Sequence, residues 1–352
     1  MINNMVKSIE ERKQKWNNFL ADGGERTMYL IDSEASSSSA SARPLPWPES
    51  INERIEWAYN NYCIQLGDTE WLADDRVPAL MPYTGTEIFA EAFGCKVQYP
   101  KNDMPFAIPM YSTLSEAATL KVPDVHDTPL DNIFEIAKRL RQKAGSGAIM
   151  QLPDIQSPLD IAALILNKEE FYVSMSEEPQ AIHEMIEKTK SLLTAFLDEW
   201  FSEFGHSYIA HFPTYYMEGG ITLSEDEIGA FSAGMFDEFV LDSLDGLSEK
   251  YGGIGIHCCA DSEHQWQNLS KVKGLRLLNL INNPSFTKRS INFFRNSVAL
   301  WPFNGQPISD IEPSWISNCT DDIRVVLTYK TQTRQSALET AKRAEELCEK
   351  RK

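Results

Sequence analysis

The sequence predicts an α/β fold, specifically a parallel (β/α)8 TIM barrel preceded by an N-terminal helical extension. Three observations predict it. Short apolar runs alternate with amphipathic helices along most of the 352 residues, a pattern that places a parallel sheet inside a layer of helices. The number of such units points to a closed barrel, and the chain is long enough to form one as a single unit. No strand is followed by a G-x-G-x-x-G turn; "GSG" at Gly145 to Gly147 and "YGGIGI" both precede strands, which removes the main signal for a dinucleotide-binding open sheet.

The elements follow in order. "MINNMVKSIEERKQKWNNF" reads as a polar amphipathic helix, and "ASSSSASA" with the following "RPLPWP" as a mobile loop. Residues 1–75 are therefore expected to form the extension and residues 76–352 the barrel. A helix from about Pro129 to Ala144 presents Ile133, Ala137 and Leu140 on one face before Gly145. "GAIMQL" reads as a buried strand, and "SPLD" (Ser157 to Asp160) as a capping box opening a helix through Leu166. A long helix runs from Pro179, with Ile182, Ile186, Leu193, Leu197, Trp200 and Phe204 at helical spacing and Gly205 as its stop. "SYIAHF" is the next strand, "SEDE" caps a short helix, and Met235 to Tyr251 forms another. Strand "GIGIHC", helix "HQWQNLSKV", strand "RLLNLI", helix "KRSINFF", strands "VALWPF" and "IRVVLTY" and a charged final helix complete the chain.

Composition narrows the function. Fifty-one acidic against thirty-three basic residues give a formal charge of −18, which repels phosphate backbones and anionic lipid and argues against nucleic acid or a membrane as partner. No apolar stretch approaches the ~20 residues that cross a bilayer, so a cytoplasmic location is expected. Six cysteines are too sparse for a disulfide scaffold and read as thiols or metal ligands.

In a barrel the reacting groups lie where strands run into the following loops. That rule picks out Asp154, Tyr215, Tyr216, Glu218, His257, Cys259, Asn282 and Asn304. In "IHCCADSEHQW", side chains alternate along the strand, so His257 and Cys259 point to one side and Cys258 to the other. Histidine and cysteine are the ligand types zinc prefers, and a catalytic zinc needs a third protein ligand. Cys319 is the first candidate, followed by Glu218, His211 and Cys258. The same spacing also suits a buried cysteine pair beside a histidine satisfied by a backbone carbonyl. Glu218 and Asp154 are candidate catalytic groups, with turn-forming roles as the alternative. Tyr215, Tyr216, Asn282 and Asn304 are candidate substrate contacts.

Four stretches carry a family resemblance: "VPALMPYTGTEIFAEAFGCKVQYPKNDMPFAIP", "LPDIQSPLDIAALIL", "PTYYMEGGITLSEDEIGAFSAGMFDEFVLDSL" and above all "GIHCCA", where the family has a strand ending H-x-C-G. From about Arg76 to Glu346 the chain resembles the uroporphyrinogen decarboxylase superfamily of (β/α)8 barrels, which includes zinc-dependent methyltransferases acting between corrinoid proteins and thiols. "YTG" (Tyr83 to Gly85) stands where the decarboxylases carry a catalytic aspartate in an "FSD" turn. Arg43 and Arg54 do not form the arginine cluster that grips porphyrinogen carboxylates. The methyltransferase branch matches better. It implies zinc on His257 and Cys259, a methylcorrinoid on a partner protein, and a small thiol as acceptor. Its third ligand, a cysteine shortly before the last helix, has no counterpart at that position, and Cys319 lies earlier in the chain. A decarboxylase-like activity, or a metal-free barrel that binds a small ligand, is the alternative reading.

Overall fold

The computed structural model describes residues 6–37, 41–281, 284–303 and 323–351. Their strands are β1 (Thr27–Ser33), β2 (Lys96–Gln98), β3 (Phe106–Ile108), β4 (Met150–Gln151), β5 (Ser207–Ile209), β6 (Tyr216–Glu218), β7 (Ile221–Ser224), β8 (Ile254–Cys258), β9 (Leu275–Ile281), β10 (Ala299–Phe303) and β11 (Val325–Thr331). Helices of eight residues or more are α1 (Ile9–Leu20), α2 (Ile51–Thr69), α3 (Leu130–Ala144), α4 (Pro158–Ile165), α5 (Lys168–Glu177), α6 (Pro179–Phe204), α7 (Leu241–Tyr251), α8 (Pro284–Phe294) and α9 (Arg334–Lys350).

The barrel wall is built as two arcs. One is a six-stranded parallel sheet in the order β1-β11-β10-β9-β8-β7; the other contains β4 and β5, parallel, with β6 antiparallel on its edge. Single bridges extend them: Leu80 pairs with Met150, and Gln156 beyond β4 pairs with Ser224 at the end of β7. This is the α/β, (β/α)8 barrel class expected from the alternation. The strands "GIGIHC", "RLLNLI", "VALWPF" and "IRVVLTY" all form where the apolar runs place them.

The segment before residue 76, expected as helical, also supplies a strand. β1 pairs with β11 over seven residues, from Thr27 opposite Val325 to Ser33 opposite Thr331. Its far edge meets side chains: Asp75 accepts from the Tyr29 amide at 2.9 Å and Asp74 from the Ile31 amide at 3.0 Å. These carboxylates satisfy strand donors that would otherwise be buried without partners. Asp75 has no exposed side-chain surface and also holds Lys7 and Lys15, both at 2.8 Å. Of the serine-rich run, Ala35 to Ser37 lies in a short helix, and residues 38–40 lie outside the described residues.

α1 lies across the amino-terminal end of the strands. Trp16 stacks on Trp301 with ring centroids 6.4 Å apart and donates its indole N–H to the Asp75 carbonyl at 2.8 Å. Arg324, just before β11, donates to the carbonyls of Phe19 and Leu20 at 2.6 and 3.1 Å. Outside the barrel, α3 and α6 bury an aromatic cluster of Phe134, Phe196, Trp200 and Phe204, with Phe134 and Phe196 centroids 5.0 Å apart. Each such ring contributes roughly 1.5–3 kcal/mol by leaving water, and this fixes the helical layer against the wall. Gly145, with φ of 96°, and Gly205, with φ of 88°, end these two helices as the sequence predicts.

Candidate metal centre

β8 brings the site to the carboxyl-terminal mouth. Along "IGIHC" side chains alternate, so Gly255 and His257 share one face and Ile256 and Cys258 the other. The first face is the barrel interior: the Tyr215 hydroxyl lies 1.9 Å from where a Cβ on Gly255 would sit. His257 stands opposite Asn279 of β9. Asn279 is fully buried, and its amide NH2 donates to the Trp301 carbonyl at 2.8 Å, which turns its oxygen toward His257. His257 Nδ1 therefore carries the proton and donates to that oxygen at 2.6 Å. Nε2 keeps its lone pair, the arrangement usual for a ligating imidazole.

Next to His257 stand Cys259 and Asp226. One ligand atom from each of Asp226, His257 and Cys259 lies within 4.8 Å of the others. Asp226 comes from the turn after β7, the neighbouring strand, where the Glu225 amide donates to the His257 carbonyl at 2.8 Å. The Cys259 amide donates to Asp226 Oδ1 at 2.6 Å. The ring of Phe212 meets His257 edge to face at 4.7 Å.

The electrostatics suit a cation. Burial holds His257 below its ordinary value, opposed by Asp226 and by the Asn279 hydrogen bond. Burial, then the negative charge of Asp226, pushes the Cys259 thiol up to about 12. Without a metal the cluster is thus a neutral imidazole, a thiol and a carboxylate. A divalent cation that displaces the thiol proton would leave a +2 ion facing two negative ligands.

The donor set of nitrogen, sulfur and oxygen fits zinc, with Zn–N and Zn–S of about 2.0 and 2.3 Å. Tetrahedral ligands at those lengths sit roughly 3.5 Å from one another, so a closure of about 1 Å forms the shell. Cys259 is exposed, so rotation of its side chain supplies that movement while its amide stays on Asp226. Among the described residues three protein ligands meet here, the number found in catalytic zinc sites.

Other sequence candidates fall elsewhere. Glu218 is corrected: it ends β6 opposite Ser207 at the start of β5, at the amino-terminal end of the barrel, where Asn17 donates to its carboxylate at 2.7 Å. The hairpin of β5 and β6 reverses the chain, so the end of β6 is the wrong end of the barrel. Cys258 points to the opposite face, with its thiol 3.8 Å from the Ala260 carbonyl. His211 is buried with Nε2 3.2 Å from the Ser224 hydroxyl and 3.5 Å from Asp154 Oδ1; burial, then His257, pushes it down to about 3. Asp154 faces the mouth, its amide donating to the Thr84 hydroxyl at 2.9 Å and its carboxyl raised to about 7 by burial and then by Asp226.

Tyr215 and Tyr216 are buried and line a cavity of about 200 Å³ together with Trp16, Trp57, Arg43 and Arg76. Asn282, Asn304 and Cys319 lie outside the described residues. Asp226 is the residue that sequence reasoning missed. "SEDE" reads as a helix cap in the sequence, whereas Ser224 closes β7 and Asp226 stands in the turn after it. The signal available was position: a carboxylate two residues past a strand adjacent to the His-x-Cys strand.

A parallel barrel with an N, S and O ligand cluster at its carboxyl-terminal mouth defines the class of protein. Residues 76–293 match the uroporphyrinogen decarboxylase (URO-D) family, and the chain belongs to that family. Among solved structures it is similar to a methyltransferase from Methanosarcina mazei, at 14% identity and a TM-score of 0.63, over 96% of this chain and 98% of that one. No curated protein matched. No helix among the described residues is long and apolar enough to cross a membrane.

Proposed function

We propose that this protein is a zinc-dependent methyltransferase that moves a methyl group between a corrinoid carried by a partner protein and a small thiol. The observation that carries the reading is the cluster of Asp226, His257 and Cys259 at the barrel mouth, whose ligand atoms lie within 4.8 Å of one another. Zinc held there supplies the positive charge that lowers the pKa of an acceptor thiol into the neutral range. In the transfer the thiolate lone pair would form the carbon–sulfur bond, both electrons of the broken carbon–cobalt bond would remain on the cobalt, and the thiol proton would pass to solvent.

The chain's own groups support the metal-binding part of this reading. Asn279 fixes the tautomer that leaves His257 Nε2 available. Asp226 accepts from the Cys259 amide and so sets the loop that carries the thiol. Asp154, raised to about 7, can hold or release a proton near neutrality at the same mouth.

Decarboxylation of the family type is poorly served. Gly85 offers no carboxylate at that position of the turn, and the space a Cβ there would take is met by the end of the Glu87 side chain. The test is metal content of the protein purified under reducing conditions, followed by anaerobic incubation with methylcobalamin and a panel of thiols. About one zinc per chain and zinc-dependent formation of a thioether are expected. A protein that binds no zinc at neutral pH, or whose methyl transfer survives His257→Ala, overturns the proposal.

A further inference from the structure

The capping box that the sequence announces at "SPLD" is only half formed. Ser157 does accept from the Asp160 amide at 3.0 Å, which caps α4. The reciprocal bond is missing: the Ser157 amide donates to the Ser224 carbonyl at 2.8 Å. The Asp160 carboxylate, 3% exposed, instead reaches across to the turn after β7. Its Oδ2 accepts from the Asp226 amide at 2.7 Å and its Oδ1 from the Glu227 amide at 3.1 Å.

From this diversion we infer that Asp160 is a positioning residue for the metal centre: it grips the turn that presents Asp226. The geometry is that of a carboxyl group held by two successive backbone N–H groups, a pair of contacts that fixes both distance and direction. Asp226 in turn accepts from the Cys259 amide at 2.6 Å. One buried carboxylate on α4 thereby sets two of the three ligand-bearing segments, while Asn279 sets the third. Partners that orient ligands in this way typically govern metal affinity by 10 to 100-fold. A purely structural role is the competing account, because Asp160 also sits in the first turn of a buried helix. Ser157 separates the two, since its hydroxyl caps the helix at the Asp160 amide and, in the turn after β7, reaches the side chain of Glu225 and not that of Asp226.

The inference rests on the zinc reading above, and its test distinguishes the two. Zinc affinity is measured by competition with a chromophoric chelator, and ligand geometry by the absorption spectrum of the cobalt(II) form, on the full chain. Thermal melting of the metal-free protein serves as the structural control. Asp160→Asn, which turns an NH2 or one lost acceptor toward the two amides, is expected to weaken zinc 10 to 100-fold and to alter the cobalt spectrum. Ser157→Ala is expected to lower the melting temperature with zinc affinity within about twofold of the parent. Should Asp160→Asn not fold, Asp160→Glu keeps the charge but displaces it by one methylene, and the same weakening is expected. Parent-like affinity and spectrum in whichever Asp160 variant folds, or equal loss of affinity in Ser157→Ala, overturns the inference alone. Absence of zinc binding by the parent protein overturns both readings.

Discussion

Placing one methyl group on Gly255 tests whether the barrel interior beneath the metal centre is packed as described. A Cβ there meets the Tyr215 hydroxyl oxygen at 1.9 Å, then the Thr222 methyl and the Tyr215 ring carbon at 3.3 Å. Tyr215 cannot swing away cheaply, because its ring is 5.7 Å from that of Trp16 and 6.3 Å from that of Trp301, all three residues being buried. Overpacking of this kind costs about 1–3 kcal/mol. Loss of a glycine from the unfolded chain returns about 0.4–1 kcal/mol, so Gly255→Ala is expected to destabilise by about 1–2 kcal/mol net. Removing the offending oxygen with Tyr215→Phe leaves only the contacts at 3.3 Å, and in that background the alanine is expected to cost less than about 0.5 kcal/mol. Urea denaturation of the parent, the two single variants and the double variant gives the coupling directly, provided the transition slopes agree. An alanine penalty equal in both backgrounds, or no penalty in either, refutes the argument that the Tyr215 hydroxyl fills the space beside Gly255.

Three further outcomes are expected. His257→Ala and Cys259→Ala each abolish stoichiometric zinc binding, and parent zinc affinity falls steeply as pH is lowered, because the ion must displace the Cys259 proton; a chelator competition series from pH 6 to 8 checks this, and pH-independent affinity contradicts it. Asp75→Asn costs about 3–5 kcal/mol by leaving Lys15 buried without its ion pair, while Lys7 keeps Glu345. Those cations hold the Asp75 carboxyl below 3.8 despite its burial, so its contribution is full at neutral pH and is lost as pH falls below 3.8 through the folded value, which acid titration of parent and variant resolves. Asp154 behaves in the opposite sense: its folded value of about 7 lies above the ordinary 3.8, so metal-free protein loses stability as pH rises between them, and Asp154→Asn flattens that part of the denaturation profile.

The wall of the barrel was largely legible because buried parallel strands are apolar runs, and "GIGIHC", "RLLNLI" and "IRVVLTY" each declare themselves. β1 was harder to read, since "TMYLIDS" lies in a stretch dominated by charged helix and serine loop, and its role depends on a strand at the far end of the chain. β7 is shorter still, and its identity as wall comes only from pairing with β8. At the site, alternation correctly placed His257 and Cys259 on one side, because that rule is local. Glu218 was misplaced because β6 reverses direction, which no periodicity reveals. Asp226 and Asp160 escaped notice since both occur in motifs that read as ordinary helix caps; only the tertiary approach of α4 to the turn after β7 gives their carboxylates another use.

The pairing of β1 with β11 has a consequence for how the chain is made. The Arg324 guanidinium finds its carbonyl acceptor at Phe19, 305 positions earlier, and the whole of β1 takes its hydrogen-bonding neighbour from β11, from Thr27 opposite Val325 to Ser33 opposite Thr331. Until β11 is made, β1 presents an open edge, and the nascent chain carries it through the synthesis of everything between the two strands. Contacts of such long range form slowly, and exposed strand edges during that interval are where chains stick to one another. Nascent chains stalled before residue 325 therefore keep that edge of β1 unpaired.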